Sequence, residues 1–311
     1  MPKVAVIQIA PVILDRDKTV ELAVEEVEKA SAAGAELVIF PEAFIPGYPA
    51  WIWRLRPGTD WNTNEEIHAR LLNNSVDLSS RQLQPLYDAA REHNVTIVCG
   101  MHERDSSLTR TTLYNTTVTI SHEGQRLNQH RKLMPTNPER MVWGFGDATG
   151  LKVVDTPCGR IGSLICWENF MPLARFAMYS QCIDIYIAPT YDSGEGWLGT
   201  MQHIAREGGC WVISAGVALK SLDIPKDFPQ RDTLYPNSEE WINPGDSIII
   251  APDGEIVAGP LNKKQETLFA DVDLSRVEGS RRTFDVAGHY SRPDIFTLHV
   301  NAQPQSPVQF D

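Results

Sequence analysis

Gly162-Ser163-Leu164-Ile165-Cys166-Trp167-Glu168-Asn169-Phe170-Met171-Pro172 begins as a buried strand, stops at a single cysteine and passes into a helix-starting segment. Strand, tight turn and helix form the repeating unit of an α/β fold. The turn is expected to put Cys166 near the positive end of a helix dipole, lowering the thiol pKa and favouring thiolate. By itself the cysteine reads equally well as an inert packing group.

The same alternation extends outward. Val4 to Ile9 reads as a strand, and Thr19 to Ala33 as a helix with Ala23, Val24, Val27 and Ala30 on one face. Leu37-Val38-Ile39-Phe40 is a short buried strand after the helix-ending Gly34. Ser80 to His93 reads as a helix, and Thr96 to Gly100 and Leu113 to Ile120 as strands. Val153 to Thr156 and Ile161 to Ile165 read as a hairpin around Pro157-Cys158-Gly159-Arg160.

Beyond Cys166 the pattern runs helix (Pro172 to Gln181), strand (Ile183 to Ala188), helix (Trp197 to Glu207) and strand (Trp211 to Ala215). Ser247 to Ile250 and Glu255 to Ala258 pair across Pro252-Asp253-Gly254. Past Asp273 the pattern weakens. No clean linker divides the chain, so 1–296 reads as one α/β domain and 297–311 as an extended tail. Pro46 to Asn74 and Leu219 to Asn243 read as long irregular stretches, of the kind that cover a site or make a subunit contact.

Of 311 residues, 42% are hydrophobic and 22% charged, enough for a sizeable core. The 28 basic and 40 acidic residues leave a net charge of -12, which argues against nucleic-acid and anionic-membrane partners. Gln8 and Pro11 break up the apolar start, so it reads as a first strand rather than a signal peptide. No apolar run approaches the roughly 20 residues that span a bilayer. The five cysteines (Cys99, Cys158, Cys166, Cys182, Cys210) lack metal-type pairing and read as reduced thiols of a cytoplasmic protein. Cys158 and Cys182 read as core or hairpin residues. His102, His122, His130, His203 and His289 show no ligand spacing, so no metal is expected.

Glu42 ends a strand between Phe40-Pro41 and Phe44, where desolvation would raise its pKa toward that of a general base. Alone it also reads as a plain loop glutamate. His130-Arg131-Lys132 alone reads as a solvated run, but the apolar and proline context after Lys132 turns this lysine inward. There its ammonium can stabilise a developing negative charge, and Glu139 is a candidate to orient it.

Glu42, Lys132 and Cys166 match, in order and context, the Glu–Lys–Cys triad of the nitrilase superfamily, which the chain resembles from Val4 to about Phe296. Cys-Trp-Glu-Asn at 166–169 and His-Arg-Lys-Leu at 130–133 resemble the true nitrilase branch. So do Pro46-Gly47-Tyr48-Pro49, Trp143-Gly144 with Gly146-Asp147, and Gly288-His289-Tyr290-Ser291-Arg292-Pro293-Asp294. Asp147-Ala148-Thr149 departs from the Asp-Gly-Ser of many relatives.

The resemblance implies a four-layer α-β-β-α sandwich that dimerises through helices and builds into larger homo-oligomers, with 219–243 as one assembly surface. It implies hydrolysis of a nitrile to acid and ammonia without a cofactor. Cys166 would be the nucleophile, Glu42 the base, Lys132 the cation and Glu139 its positioner. The Trp167 N–H would serve the anion hole, and Tyr48, Trp51, Trp53, Thr190, Tyr191 and Trp197 would approach the substrate. These aromatics would suit an aryl or arylalkyl nitrile, though the tryptophans read equally as core. An amidase or carbamoylase, a cyanide-degrading hydrolase and a non-catalytic scaffold are the competing readings.

Overall fold

The computed structural model describes residues 1–107, 109–306 and 308. One sheet runs in the order β13 (Glu266–Asp271), β1 (Lys3–Gln8), β2 (Leu37–Ile39), β3 (Thr96–Arg104), β4 (Leu113–Ile120), β5 (Arg126–Arg131). The other runs β10 (Ala218–Lys220), β11 (Trp241–Ile250), β9 (Trp211–Gly216), β8 (Ile185–Thr190), β7 (Gly159–Ser163), β6 (Val154–Thr156), with β12 (Ile256–Asn262) added on β11. The helices are α1 (Arg16–Ala32), α2 (Trp61–Asn74), α3 (Gln84–Glu92), α4 (Pro172–Tyr179), α5 (Glu195–Gly208), the short α6 (Arg231–Leu234) and α7 (Ser275–Thr283).

Period-two alternation explains the layers. In β1, Ala5 and Ile7 pack with Val20, Ala23 and Val27 of α1, while Val4 and Val6 point to the other side. There they meet Ile185 and Ile187 of β8, whose alternate residues Tyr186 and Ala188 pack with Met178 of α4 and Ile204 of α5. Strands that are apolar on both faces must be covered on both. The result is helix, sheet, sheet, helix: the four-layer sandwich.

The hairpins at 153–165 and 247–258 form antiparallel pairs as read. The helix read from Thr19 starts at Arg16, because the Asp15 side chain accepts the Lys18 N–H at 3.1 Å and caps the helix there. Several readings need correction. The 46–74 stretch is irregular only in its first half; its second half is α2, whose sparse apolar positions Ile67 and Leu71 are one turn apart. β5 was not read, because Arg-Leu-Asn-Gln-His-Arg carries almost no apolar signal. Nor were β13 and α7. Cys182 is exposed and belongs to no core.

The two long stretches pack on each other. Trp51, Leu55, Ile67 and Leu71 share an apolar cluster with Ile224, Phe228, Leu234 and Tyr235. Arg54 bonds Glu240 and Arg70 bonds Asp227 across the same seam. Ile224, Phe228, Leu234 and Tyr235 of the 219–243 stretch are therefore buried within this chain, while Leu222 is exposed. Of the tail, residues 307 and 309–311 lie outside the described residues. Among the described residues no helix is long and apolar enough to cross a membrane.

Candidate active site

β1, β2 and β3 run parallel, as do β7, β8 and β9, so their carboxyl ends gather at one side. Ligands collect at such ends in open α/β sheets. Glu42 lies just past β2, Lys132 just past β5, Cys166 just past β7, and Thr190 ends β8. The turn that carries Glu42 lies so close to β3 that a Cβ on Gly100 would sit 2.2 Å from the Pro41 carbonyl oxygen. Only glycine fits there.

Cys166 itself has φ of 50°, a left-handed geometry that costs a side-chain-bearing residue about 1–2 kcal/mol. The neighbours hold it there. Asn169 Nδ2 donates to the Leu164 carbonyl at 3.0 Å and the Cys166 carbonyl at 2.7 Å. The Tyr186 hydroxyl in turn donates to Asn169 Oδ1 at 2.7 Å.

Lys132 is 1% exposed and lies between two carboxylates, with Nζ 2.7 Å from Glu42 Oε1 and 2.7 Å from Glu139 Oε2. An ammonium has three donors, so one remains for a third partner. Glu42 Oε1 also accepts from Asn115 Nδ2 at 2.7 Å, whereas among the described residues Oε2 accepts only the Tyr191 N–H, at 2.7 Å. Oε2 thus keeps a lone pair for a proton. Glu139 is fixed by the Thr136 N–H at 2.7 Å and the Tyr48 hydroxyl at 2.7 Å.

The electrostatics follow from burial. Burial raises Glu42 above the usual carboxylate range, with Glu139's charge adding to it and Lys132 opposing it. Burial opposes the Lys132 charge, but Glu42, Cys166 and Glu139 outweigh it and hold the group above the usual lysine range. Burial, then the charge of Glu42, pushes the Cys166 thiol up to about 12 while Lys132 pulls the other way. The expected lowering by a helix dipole is therefore overturned. A 3-10 turn, Cys166–Phe170, separates the cysteine from α4, and the sulfur is buried rather than set at a helix end. Deprotonation needs a base close by.

A cavity of about 220 Å³ opens onto Cys166, lined by Tyr48, Trp53, Thr136, Glu139, Trp167, Tyr191 and Asp192. The Trp167 indole donates to Asp192 Oδ2 at 2.8 Å, and that of Trp53 to the Tyr48 hydroxyl at 3.1 Å. Thr190 stands behind Cys166, its hydroxyl 3.4 Å from Cys166 Sγ, and is not on the cavity wall. Trp51 and Trp197 are core residues: one packs on Phe228, and the other donates to Ser214 Oγ at 2.9 Å. Among the described residues no group of three His, Cys, Asp or Glu could hold a metal ion.

Residues 3–282 match the carbon–nitrogen hydrolase family. The chain belongs to that family. This carbon–nitrogen hydrolase is 38% identical to a bifunctional nitrilase/nitrile hydratase of Lupinus angustifolius, over 99% of this chain and 88% of the relative. It is 39% identical to an aliphatic nitrilase of Sinorhizobium fredii, over 98% and 97%. In fold it is similar to Nit3 of Saccharomyces cerevisiae, a nitrilase-superfamily member, with a TM-score of 0.72 at 19% identity over 93% and 96% of the two chains.

Several polar residues of this carbon–nitrogen hydrolase's site went unread in the sequence. Asn115 lies within β4 and Asn169 beyond the cysteine, where neither carries a local signal. Glu168 and His130 are buried against each other, 3.0 Å apart, although His130 sits in an apparent surface run. Strand alternation within 130–132 was the available clue, since it puts His130 and Lys132 on one face and sends Arg131 to Glu103 on the other. The departure at 147–149 is a capped turn, with Asp147 Oδ1 accepting the Thr149 N–H at 3.0 Å.

Proposed function

We propose that this carbon–nitrogen hydrolase is a nitrilase that converts a compact organic nitrile to its carboxylic acid and ammonia. The observation that carries this reading is the buried chain Glu42–Lys132–Glu139, whose Glu139 end lines the cavity that opens onto Cys166. The relatives named as nitrilases support the choice of nitriles among carbon–nitrogen substrates.

In the proposed reaction Cys166 Sγ attacks the nitrile carbon while Glu42 takes the thiol proton on Oε2. The charge that develops on nitrogen meets the third Lys132 N–H; Lys132 gives it a proton and takes over the one Glu42 removed from the thiol, so that a thioimidate forms and Glu42 is ionised again. Water, deprotonated by Glu42, adds to that carbon; ammonia leaves; and a second water hydrolyses the thioester and frees the thiol. Two waters are consumed for each ammonia and acid formed. Glu139 fixes the Lys132 ammonium throughout. Because the thiol lies far above neutral pH, attack and proton transfer to Glu42 are coupled.

The cavity selects the substrate. Its walls are the rings of Tyr48, Trp53, Trp167 and Tyr191, which suit a compact aryl or arylalkyl nitrile. The Asp192 carboxylate on the same wall disfavours nitriles that carry a negative charge.

We also assign this protein a homodimer that builds into larger assemblies. Leu173, Tyr290, Ile295 and Phe296 are exposed around one groove beside α4, an apolar surface that supports self-association. The five cysteines are all free, which supports a reducing, cytoplasmic setting.

The deciding experiment measures ammonia released from aliphatic, aryl and arylaceto-nitriles, cyanide and the matching amides, with Cys166→Ala as control. Ammonia from organic nitriles that is lost in the variant is expected. Turnover of amides alone, or of cyanide alone, would replace this reading, and no turnover at all would make the protein a scaffold.

A further inference from the structure

Glu168 lies two residues beyond Cys166 and away from the cavity wall, yet its carboxylate is buried and fully engaged. Oε1 accepts the Leu133 N–H at 2.6 Å and Oε2 accepts the Ile165 N–H at 2.5 Å. Leu133 immediately follows Lys132, and Ile165 immediately precedes Cys166. The two segments leave different sheets, one from β5 and the other from β7. A single carboxylate therefore bridges the two sheets at the residues next to the cation and the nucleophile. Charge-assisted bonds to backbone N–H groups in a dry interior are strong and directional.

His130 completes the arrangement. Its Nε2 lies 3.0 Å from Glu168 Oε2, while its buried Nδ1 has no hydrogen-bond partner among the described residues. The proton thus belongs on Nε2, where it is donated to the carboxylate and fixes its plane.

We propose that Glu168, oriented by His130, is the positioning residue that holds Cys166 at its working distance from Lys132. Neither residue touches substrate. Three charged groups bear on the Cys166 thiol: Lys132, which favours thiolate, and Glu42 and Glu139, which oppose it. Loosening the Glu168 bridge uncouples the backbone that carries Cys166 from the backbone that carries Lys132, and so changes the distance of the thiol from the charges around Lys132.

The test uses the full chain with Glu168→Gln, His130→Leu and His130→Gln. Glutamine at 168 turns an amide NH2 toward one of the two backbone N–H groups. Glutamine at 130 keeps a donor at the reach of the imidazole Nε2. Two readouts are taken: the pH profile of Cys166 alkylation by iodoacetamide, and kcat and KM on a nitrile. Glu168→Gln and His130→Leu are expected to shift the pH profile of alkylation and to lower kcat by about 10²-fold with KM little changed. His130→Gln is expected to restore both.

An alkylation profile and kcat unchanged in folded Glu168→Gln would overturn the proposal, whatever its melting temperature, and so would a His130→Gln no better than His130→Leu. Should Glu168→Gln fail to fold, the two His130 variants decide. The kcat arm rests on the nitrilase reading, but the alkylation arm does not. Absence of nitrile turnover would therefore defeat that reading and leave this one to be judged on alkylation alone.

Discussion

Tyr48 and Tyr191 stack face to face, with ring centroids 3.7 Å apart and planes within 6° of parallel. Tyr48 holds Glu139 through its hydroxyl, and Tyr191 holds Glu42 through its backbone N–H, so one stacked pair grips both carboxylates that flank Lys132. The pair also joins the first long segment to the end of β8.

Tyr48→Phe keeps the stack and removes only the hydroxyl. A hydrogen bond to a charged group is worth about 1.5–3 kcal/mol. Expressed in the transition state, that is about 10–100-fold in kcat. Steady-state kinetics should show this loss with little change in melting temperature. A variant that melts lower but turns over normally would refute this account of Tyr48.

Lys132→Met leaves Glu42 and Glu139 facing each other without their cation. Breaking one side of a buried ion cluster costs about 3–5 kcal/mol. Burial already raises the Glu42 carboxyl above its unfolded value, so its ionised form disfavours the folded state. The deficit should therefore grow as pH rises through that raised pKa and shrink as pH falls below it. Thermal melts at pH 5 and pH 8 test the sign. An equal deficit at both would mean that the carboxylates are not the cause.

Activity should track Glu42 on the acid side. The base must be ionised, so kcat/KM should climb with pH through a pKa above the ordinary 4.5. Free thiolate should contribute no plateau near neutrality, because the Cys166 thiol sits up at about 12. Alkylation by iodoacetamide should still be accelerating at pH 10. A plateau below pH 8 would contradict the buried-thiol geometry.

Asp192→Asn removes the only acidic cavity residue not bonded to Lys132. A pair of like charges a few ångströms apart near a protein surface is worth about 1–3 kcal/mol. Relative kcat/KM for a carboxylate-bearing nitrile over its neutral analogue should rise by about tenfold. No change in that ratio would place the substrate's distal end elsewhere.

Deletion of Asp223 to Pro236 removes Ile224, Phe228, Leu234 and Tyr235 from an intrachain cluster. The expected result is a large loss of thermal stability, since each buried aromatic or leucine contributes several kcal/mol. A shortened chain that melts normally but elutes as a smaller particle would instead mark this segment as an assembly surface.

How much was legible depended on whether the signal was local. The apolar runs Val4 to Ile7 and Ile185 to Ala188 are properties of neighbouring residues and mark buried strands of an α/β fold, whereas the four-layer sandwich was implied by the family resemblance. The Gly-Arg pair at 159–160 and Pro252-Asp253-Gly254 likewise set their own turns. β5 and α2 escaped because their contacts are polar or sparse, so hydrophobic periodicity says little about them. Glu42, Lys132 and Cys166 were found from strand ends and motif context, but Asn115, His130 and Glu168 were not, because what ties them to the site is a partner remote in the chain.

The amino-acid sequence by itself determined the α/β alternation and most of its elements, and its motifs singled out Glu42, Lys132 and Cys166. The tertiary structure alone decided their chemistry. Glu42 and Lys132 are 90 residues apart and meet only because β2 and β5 end at the same edge of one sheet. The sign of the Cys166 shift reversed for the same reason. A helix dipole is read from adjacent residues, whereas desolvation and a facing carboxylate are supplied by parts of the chain that only folding brings together.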